Sequence, residues 1–434
     1  MAASCTIFAL SSGPPPAGIA VIRVSGPGVR FGLETLVESV PEPRQAMLRP
    51  LKAVDGTVID QGLVLFFPGP ASFTGEDVAE FHVHGGRAVV AATLAALSAL
   101  PGFRPAEAGE FTRRAFANGR LDLTQVEGLA DLIAAETEAQ RRQAVAQAEG
   151  RLGALYEGWR ERLVRARALI EAELDFPDEE DIPGGVSVQA WDIVARLEEE
   201  IVNHLSDKRG ERVRDGFEVV ILGPPNVGKS SLLNAIARRD VAIVTPEAGT
   251  TRDLIEVHLD LGGYAVTLVD TAGLRETASA VEREGIRRAE ERARDAGLVL
   301  WLVDATDPVA GAAPLPGAVP VLSKIDLAPG PIPPGVSAIS AVTGAGIAAL
   351  LALVTRRVAA LAPPVESPVL TRVRHRAALE KCLTAIREAQ TLDRPLELRA
   401  EDLRHAGDAL ARVTGRIDVE DMLEVIFRDF CIGK

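Results

Sequence analysis

Cysteine, aromatic residues, long apolar runs and surplus positive charge are all scarce in this 434-residue chain, and each shortage removes a class of protein. The three cysteines, Cys5, Cys382 and Cys431, are odd in number and far apart. That pattern suits a reducing cytoplasm and argues against a disulfide framework or a zinc site. Aromatic content of 4% leaves packing to Leu, Ala and Val, as in helix-rich proteins. The longest nearly apolar run, Ala88 to Leu100, falls short of the roughly 20 residues that a spanning helix needs, so no membrane span is expected. The opening Met1-Ala2-Ala3-Ser4-Cys5-Thr6 has no cationic stretch followed by a long apolar one, so no secretory signal is expected either. A net charge of −14 argues against nucleic-acid binding by bulk electrostatics, without excluding RNA. Local basic clusters remain, at Arg113-Arg114 with Arg120 and from Arg372 to Arg376, as candidate phosphate contacts.

What is present suggests two or three domains. From Thr6 to about Gly119 the texture is mixed α/β, with strands expected at Gly18 to Val24, Gly62 to Phe67 and Val78 to His84 and a helix at Arg87 to Leu100. Residues 120–215 carry helical periodicity, broken at Phe176-Pro177-Asp178 and Ile182-Pro183. Residues 216–362 return to α/β, with strands expected at Leu254 to Leu261, Tyr264 to Asp270, Leu298 to Asp304, Val319 to Ser323 and Val336 to Ser340. Residues 363–434 are helical again, through Arg374 to Gln390 and Glu401 to Arg428. The expected fold class is α/β plus all-α: one discontinuous helical bundle with a doubly wound domain inserted into it.

The chemistry centres on Gly223-Pro224-Pro225-Asn226-Val227-Gly228-Lys229-Ser230, between an apolar run with Val219, Val220 and Ile221 and a helical stretch beginning at Ser231. In that setting glycines let backbone N–H groups close around phosphate oxygens at a helix N-terminus. Lys229 supplies charge for the β/γ-phosphates, and the Ser230 hydroxyl can ligate Mg²⁺. Later elements follow in the order that a GTP-binding domain requires. Gly249-Thr250-Thr251-Arg252-Asp253 offers a threonine hydroxyl to Mg²⁺, and Asp270-Thr271-Ala272-Gly273 a carboxylate and a backbone N–H near the γ-phosphate. Ser323-Lys324-Ile325-Asp326 places an acid that accepts two guanine N–H bonds, and Ser340-Ala341 closes the base pocket.

Three departures stand out. Where many GTPases carry a water-orienting glutamine after Asp-x-x-Gly there is Leu274, which leaves Glu282 as the carboxylate candidate for that task. The guanine motif begins with Ser323 rather than asparagine, a shorter side chain expected to lose a bond to the base or to the phosphate loop, worth about 1 kcal/mol. The stretch Ala305 to Pro320 is rich in breakers, so a helix there is expected to be trimmed.

With Asn226 in the phosphate loop, Gly249-Thr250-Thr251-Arg252-Asp253, Asp270 to Arg275 and the terminal Phe430-Cys431-Ile432-Gly433-Lys434, the chain resembles the tRNA-modifying GTPase family called MnmE or TrmE along nearly its whole length. The resemblance implies an N-terminal tetrahydrofolate-binding and dimerising domain, a discontinuous helical domain and an inserted GTPase domain. It implies a homodimer that works with an FAD protein of the MnmG or GidA type, in a heterotetramer or larger complex. Together they place an aminomethyl or carboxymethylaminomethyl group on carbon 5 of the wobble uridine of certain tRNAs, drawing carbon from a 5,10-methylene or 5-formyl tetrahydrofolate. Arg23, Glu80, Arg120 and Lys434 match the family's folate positions, and Cys431 lies in its terminal motif. K⁺ beside the γ-phosphate would be held by Asn226, with Thr245, Glu247 and Thr250 in the covering loop. The competing reading from the GTPase core alone is a ribosome-assembly switch that binds RNA without modifying it. His82 and His84 alternate on an expected strand and lack a third ligand nearby, so they read as strand histidines rather than a metal site.

Overall fold

The computed structural model describes residues 5–175, 186–239, 241–243, 256–270, 297–307, 317–328, 330–362 and 367–417, with Leu423, Ile426, Phe427, Phe430 and Gly433. These fall into two compact units. One comprises Met1–Ala130, Ala148–Glu161 and Gly407–Lys434, the other Asp131–Gln147 and Arg162–Ala406.

The first unit is built on a six-stranded sheet in the order β3-β4-β5-β2-β1-β6. Its strands are β1 (Thr6–Leu10), β2 (Ala17–Ser25), β3 (Met47–Lys52), β4 (Val58–Phe67), β5 (Val78–Gly85) and β6 (Phe103–Pro105). Period-two burial follows from the pleat: Phe81 and Val83 of β5 are buried, while Glu80 and His82 between them turn to the other face. Helices α1 (Val29–Val37) and α2 (Arg87–Ser98) cover the apolar face, placing Leu33, Leu36, Val90 and Leu97 in one core with Ile22, Val24 and Phe81. Beyond the sheet come α3 (Glu110–Ala117) and α4 (Leu123–Ala134). The final residues return to them, with Phe427 and Phe430 packed on Leu123 and Val126. The Ser11 hydroxyl donates to the Gly433 carbonyl across 2.7 Å. A side chain at Gly433 would strike the Leu10 carbonyl, so only glycine lets the terminus lie this close to β1.

The second unit holds the nucleotide-type sheet, order β12-β11-β10-β7-β9-β8. It consists of β7 (Phe217–Leu222), β8 (Glu256–Leu261), β9 (Tyr264–Asp270), β10 (Leu298–Asp304), β11 (Val319–Ser323) and β12 (Ser337–Ala338). All neighbours are parallel except β8 and β9, which form the hairpin expected at Gly262-Gly263. Val219, Val220 and Ile221 are fully buried because β7 sits inside a sheet packed on both faces. Helices α9 (Lys229–Ala237) and α10 (Ile347–Leu361) supply Leu232, Leu233, Leu350 and Val354 to the core.

The helical elements are α5 (Glu138–Ala148), α6 (Arg151–Asp175), α7 (Val186–Ser206), α8 (Arg209–Asp215), α11 (Val373–Ala389) and α12 (Leu396–Thr414). Within the second unit α5 acts as a clamp. Gln140 Nε2 donates to the Arg214 carbonyl and Gln143 Nε2 to the Gly210 carbonyl, both at 3.0 Å, and Gln147 Oε1 accepts from Thr371 at 3.0 Å. The backbone N–H of Ala139 reaches the Gly263 carbonyl of the hairpin at 2.8 Å. Entry and exit of the inserted sheet also meet at Asp131, whose Oδ1 accepts from Arg214 at 3.2 Å and from Arg372 at 2.7 Å.

Three expectations need correction. The helix read as Glu401 to Arg428 breaks after Thr414, because Gly415 takes φ +84 and a Cβ there would meet the Phe116 ring at 2.8 Å, and Leu423, Ile426 and Phe427 are helical again. The strand read as Val336 to Ser340 shrinks to Ser337–Ala338, which sit in register with Val321 and Leu322 of β11. Nor are the basic clusters simple exposed faces. Arg114 is buried against Glu76 and Glu110, Arg372 is tied to Asp131, and Arg376 to Glu211. Of Ala305 to Pro320, residues 308–316 lie outside the described residues.

Candidate functional site

The phosphate loop turns sharply between β7 and α9. Gly223 at φ +149 lies so close to Leu302 that a Cβ would sit 2.5 Å from its carbonyl, and Asn226 and Gly228 also adopt positive φ, at 60° and 105°. Gly228 is the N-cap of α9, so Lys229, Ser230 and Ser231 form that helix's first turn, with its free N–H groups and positive dipole end. Lys229 is buried, and its ammonium donates to the carbonyls of Gly223 at 2.8 Å and Pro224 at 3.0 Å. The loop's cation is therefore held in place by loop oxygens that a phosphate can replace. From the end of β9, Asp270 comes to within 2.5 Å of the Ser230 hydroxyl, which donates to Oδ2. A hydroxyl and a carboxylate brought together beside a phosphate loop form the hard-oxygen donor set that suits Mg²⁺.

The residues expected to hold the base lie at the ends of β10 and β11 and in the turn after β12. Ser323 is buried and its hydroxyl reaches two carbonyls, Val227 at 2.6 Å and Val303 at 3.1 Å. Of the two bonds that the short side chain was expected to put at risk, to the base or to the phosphate loop, the one to the loop is present. A serine suffices because Val227, fully buried, brings the loop backbone within reach of a single Cβ–Oγ arm. Lys324, at φ +57, donates to Asp304 at 2.6 Å, and this bond holds the Asp304 carboxyl down to about 2. Asp326 is exposed in the turn that follows. Ser340 is fully buried; its N–H donates to the Ala345 carbonyl at 2.9 Å and its hydroxyl accepts from Thr343. The adjacent Ala341 is half-buried.

In the first unit Arg23 and Glu80 are direct cross-strand partners in the β2–β5 register. Arg23 Nε and Nη2 donate to Glu80 Oε1 at 3.1 and 2.9 Å, and Glu80 Oε2 lies 3.2 Å from His82 Nε2. The Arg23 guanidinium also sits 5.3 Å from the centre of the Phe73 ring and 5.9 Å from that of Phe111. Arg23 is thus a framed cation on the face of the sheet opposite α1 and α2 rather than a loose surface arginine. Arg120 is exposed, with its stem against Gly75, so the short loop that carries Phe73 and Gly75 touches both arginines. His84 pairs with Asp60 at 2.9 Å, and no cluster of three metal-ligating side chains occurs among the described residues.

Two family models cover the chain, one described as the N-terminus of the GTP-binding protein TrmE over residues 6–120 and one as the MnmE helical domain over residues 123–431. A curated relative from Parvibaculum lavamentivorans, the tRNA modification GTPase MnmE, is 56% identical over 440 residues, 99% of this chain and 100% of its own. Its counterpart from Brucella anthropi is 55% identical over 433 residues, 99% of this chain and 98% of its own. The chain belongs to the MnmE family of tRNA modification GTPases. Among solved structures, the FeoB G-domain of Methanococcus jannaschii is similar over 33% of this chain and 98% of its own, at 24% identity and a TM-score of 0.26.

Several residues singled out from the sequence of this MnmE family member lie outside the described residues: Thr245, Glu247, Gly249, Thr250, Thr251, Thr271, Ala272, Gly273, Glu282, Cys431 and Lys434. Sequence reasoning missed others that the fold brings to the candidate sites. His82 was set aside as a strand histidine, yet it shares the Glu80 carboxylate; its same-face spacing to Glu80 was the available signal. Phe73, Phe111 and Asp304 reach their partners across the fold, and no local pattern announces them.

Proposed function

We propose that this protein hydrolyses GTP in the course of modifying the wobble uridine of certain tRNAs. The observation that carries this reading is the 56% identity to a tRNA modification GTPase along the whole of both chains. The apposition of Ser230 and Asp270 beside a glycine-shaped phosphate loop supports the GTPase half. GTP would bind through Asn226 to Ser231, with Lys229 leaving the Gly223 and Pro224 carbonyls for the β/γ-phosphates. Ser230, with Thr251, would hold Mg²⁺, and Asp270 would complete its shell; Asp326 would read guanine by accepting two N–H bonds. K⁺ held by Asn226, Thr245, Glu247 and Thr250 would supply charge beside the γ-phosphate when two nucleotide domains meet. Glu282 would orient water, since Leu274 has no polar group to do so.

The modification half would use the face of the first sheet opposite α1 and α2. Arg23 presents a guanidinium whose Nε and Nη2 are spent on Glu80, leaving Nη1 for a carboxylate or pterin acceptor of a tetrahydrofolate. Glu80 keeps acceptor capacity beyond its bonds to Arg23 and His82. Arg120, Lys434 and Cys431 would complete the site, the thiol touching substrate or taking part in the reaction. The folate supplies the one-carbon unit. The protein would act as a cytoplasmic homodimer with an FAD protein of the MnmG type.

The test is nucleoside mass spectrometry on tRNA from cells with and without the gene. Loss of aminomethyl- or carboxymethylaminomethyl-type wobble uridines, restored by the wild type, supports the proposal. An unchanged profile in a strain with no second copy overturns the modification half. Restoration by Cys431→Ser would make the thiol structural.

A further inference from the structure

At the far end of α9 from the phosphate loop, a groove of about 530 Å³ opens between that helix, the β8–β9 hairpin and α10. Its charged and polar lining is Arg238, Arg239, Asp260 and Thr355, and Gly262, Ala348 and Ala352 keep it wide. Arg238 is exposed and has no carboxylate partner among the described residues. Arg239 Nη2 has only a long contact of 3.4 Å to the Gly344 carbonyl. Arg356 extends the row Ala348, Ala352 one helical turn further along α10, and it too is exposed with no carboxylate partner among the described residues. The one acid in the lining among the described residues, Asp260, is half-buried and accepts the Gly263 N–H at 2.7 Å.

Arg87, Arg120, Arg196 and Arg357 are likewise exposed with no carboxylate partner among the described residues, so what sets the groove apart is three such groups around one cavity. Arg104, Arg114, Arg160, Arg162, Arg372 and Arg376 each lie against a carboxylate, as expected of a chain with net charge −14. Around the groove three guanidinium groups are left without one among the described residues. Their desolvated alternative is a set of anions spaced along an extended partner, since guanidinium forks match phosphate oxygens in pairs. Val241, Leu261 and Leu351 complete the lining, the two leucines buried in the core, and Gly262, Ala348 and Ala352 leave room beside the arginines for a ribose-phosphate backbone without reading its bases.

We propose that this groove docks the phosphodiester backbone of RNA, through Arg238, Arg239 and Arg356. With the function proposed above, on which this rests, the RNA is the tRNA substrate, and the groove holds it on the nucleotide-binding unit away from the GTP site. The contact is sequence-independent and salt-sensitive.

The experiment measures binding of an unmodified tRNA transcript to the full chain by fluorescence anisotropy from 50 to about 200 mM KCl, for the wild type and for Arg238→Gln/Arg239→Gln/Arg356→Gln. Loss of three phosphate contacts is expected to lower the slope of log affinity against log salt by about 2 to 3 and affinity at low salt by at least about tenfold. GTP hydrolysis without tRNA should stay within about twofold of the wild type, which shows that the variant is folded, and replacement of the three arginines by lysine should restore most of the slope. An unchanged slope and affinity overturns the groove. So does a wild-type chain that binds no tRNA, or displacement of tRNA by polyglutamate at matched ionic strength, which would assign the surface to an acidic peptide. If the groove fails while wobble nucleosides still depend on the gene, the modification reading stands. If the nucleosides are also unchanged, that reading falls with it.

Discussion

The Ser323 hydroxyl donates to the Val227 carbonyl across 2.6 Å, tying the end of the base-side strand to the middle of the phosphate loop. The two halves of the nucleotide site are therefore fastened before any nucleotide arrives. Ser323→Ala would leave two buried carbonyls, Val227 and Val303, without that donor. The expected loss is about 1 kcal/mol of loop order, read as a roughly fivefold weaker Kd for GTP by isothermal titration. Unchanged affinity would mean that the tie is idle.

Base choice is expected to rest on Asp326, exposed at the turn after β11. Asp326→Asn exchanges an acceptor for a donor, which suits the C2 carbonyl of xanthine. Preference should move from GTP toward xanthosine triphosphate by at least about 100-fold, as happens when a hydrogen-bonding pocket loses its match. Competition of the two nucleotides for the purified variant checks it, and an unaltered order of preference would remove Asp326 from the base site.

Asn226, held at φ +60 in the phosphate loop, bears the potassium proposal. GTP hydrolysis is expected to run at least several-fold faster in KCl than in NaCl at the same ionic strength, and Asn226→Ala should erase the difference. Equal wild-type rates in the two salts would end that proposal.

His204, near the end of α7, is pulled down to about 4 by burial, with Asp207 acting against the shift and His375 and Arg376 adding to it. The sign follows from its being a base with a lowered folded pKa. Above about pH 6.5 it is neutral in both states; as pH falls toward about 4 only the unfolded chain takes the proton, and folding loses up to about 3 kcal/mol. Urea unfolding at pH 7.5 and pH 5 should show this loss in the wild type and a smaller one in His204→Gln. An equal loss in both proteins would place the acid sensitivity elsewhere.

Asp131 takes hydrogen bonds from Arg214 and Arg372 on a single oxygen. Asp131→Ala leaves both guanidinium groups short of a half-buried carboxylate, and the expected cost is about 2–3 kcal/mol in the unfolding of that unit. Thermal unfolding followed by circular dichroism measures it; a melting temperature shifted by less than about 1 °C would contradict the assignment.

Local chemistry was legible in the sequence, and distant partnership was not. The phosphate loop announces itself because glycines, lysine and serine must follow one another between a β-branched run and a helix, and the Gly262-Gly263 hairpin because alternation flanks it. The helix stop at Gly415 was missed: its glycine was visible, but the Phe116 ring that makes glycine necessary comes from α3. Arg372 looked like a candidate phosphate contact because Asp131 is remote along the chain, whereas for Arg114 one partner, Glu110, lies one helical turn away and was legible, and only Glu76 is remote. The shortness of Ser323 looked like a loss because nothing local says how near the Val227 carbonyl lies.

The meeting of Arg214 and Arg372 on Asp131 bears on how such a chain can be assembled. A sheet that leaves and re-enters its host at one carboxylate asks the host to close only a short gap, whatever the length of the excursion. Entropy grows slowly with such a detour and steeply with a stretched one. The host helices can thus gain or lose the excursion as a cassette, and a few-residue turn joining the α8 end to the α11 start is a physically sound replacement for all of it.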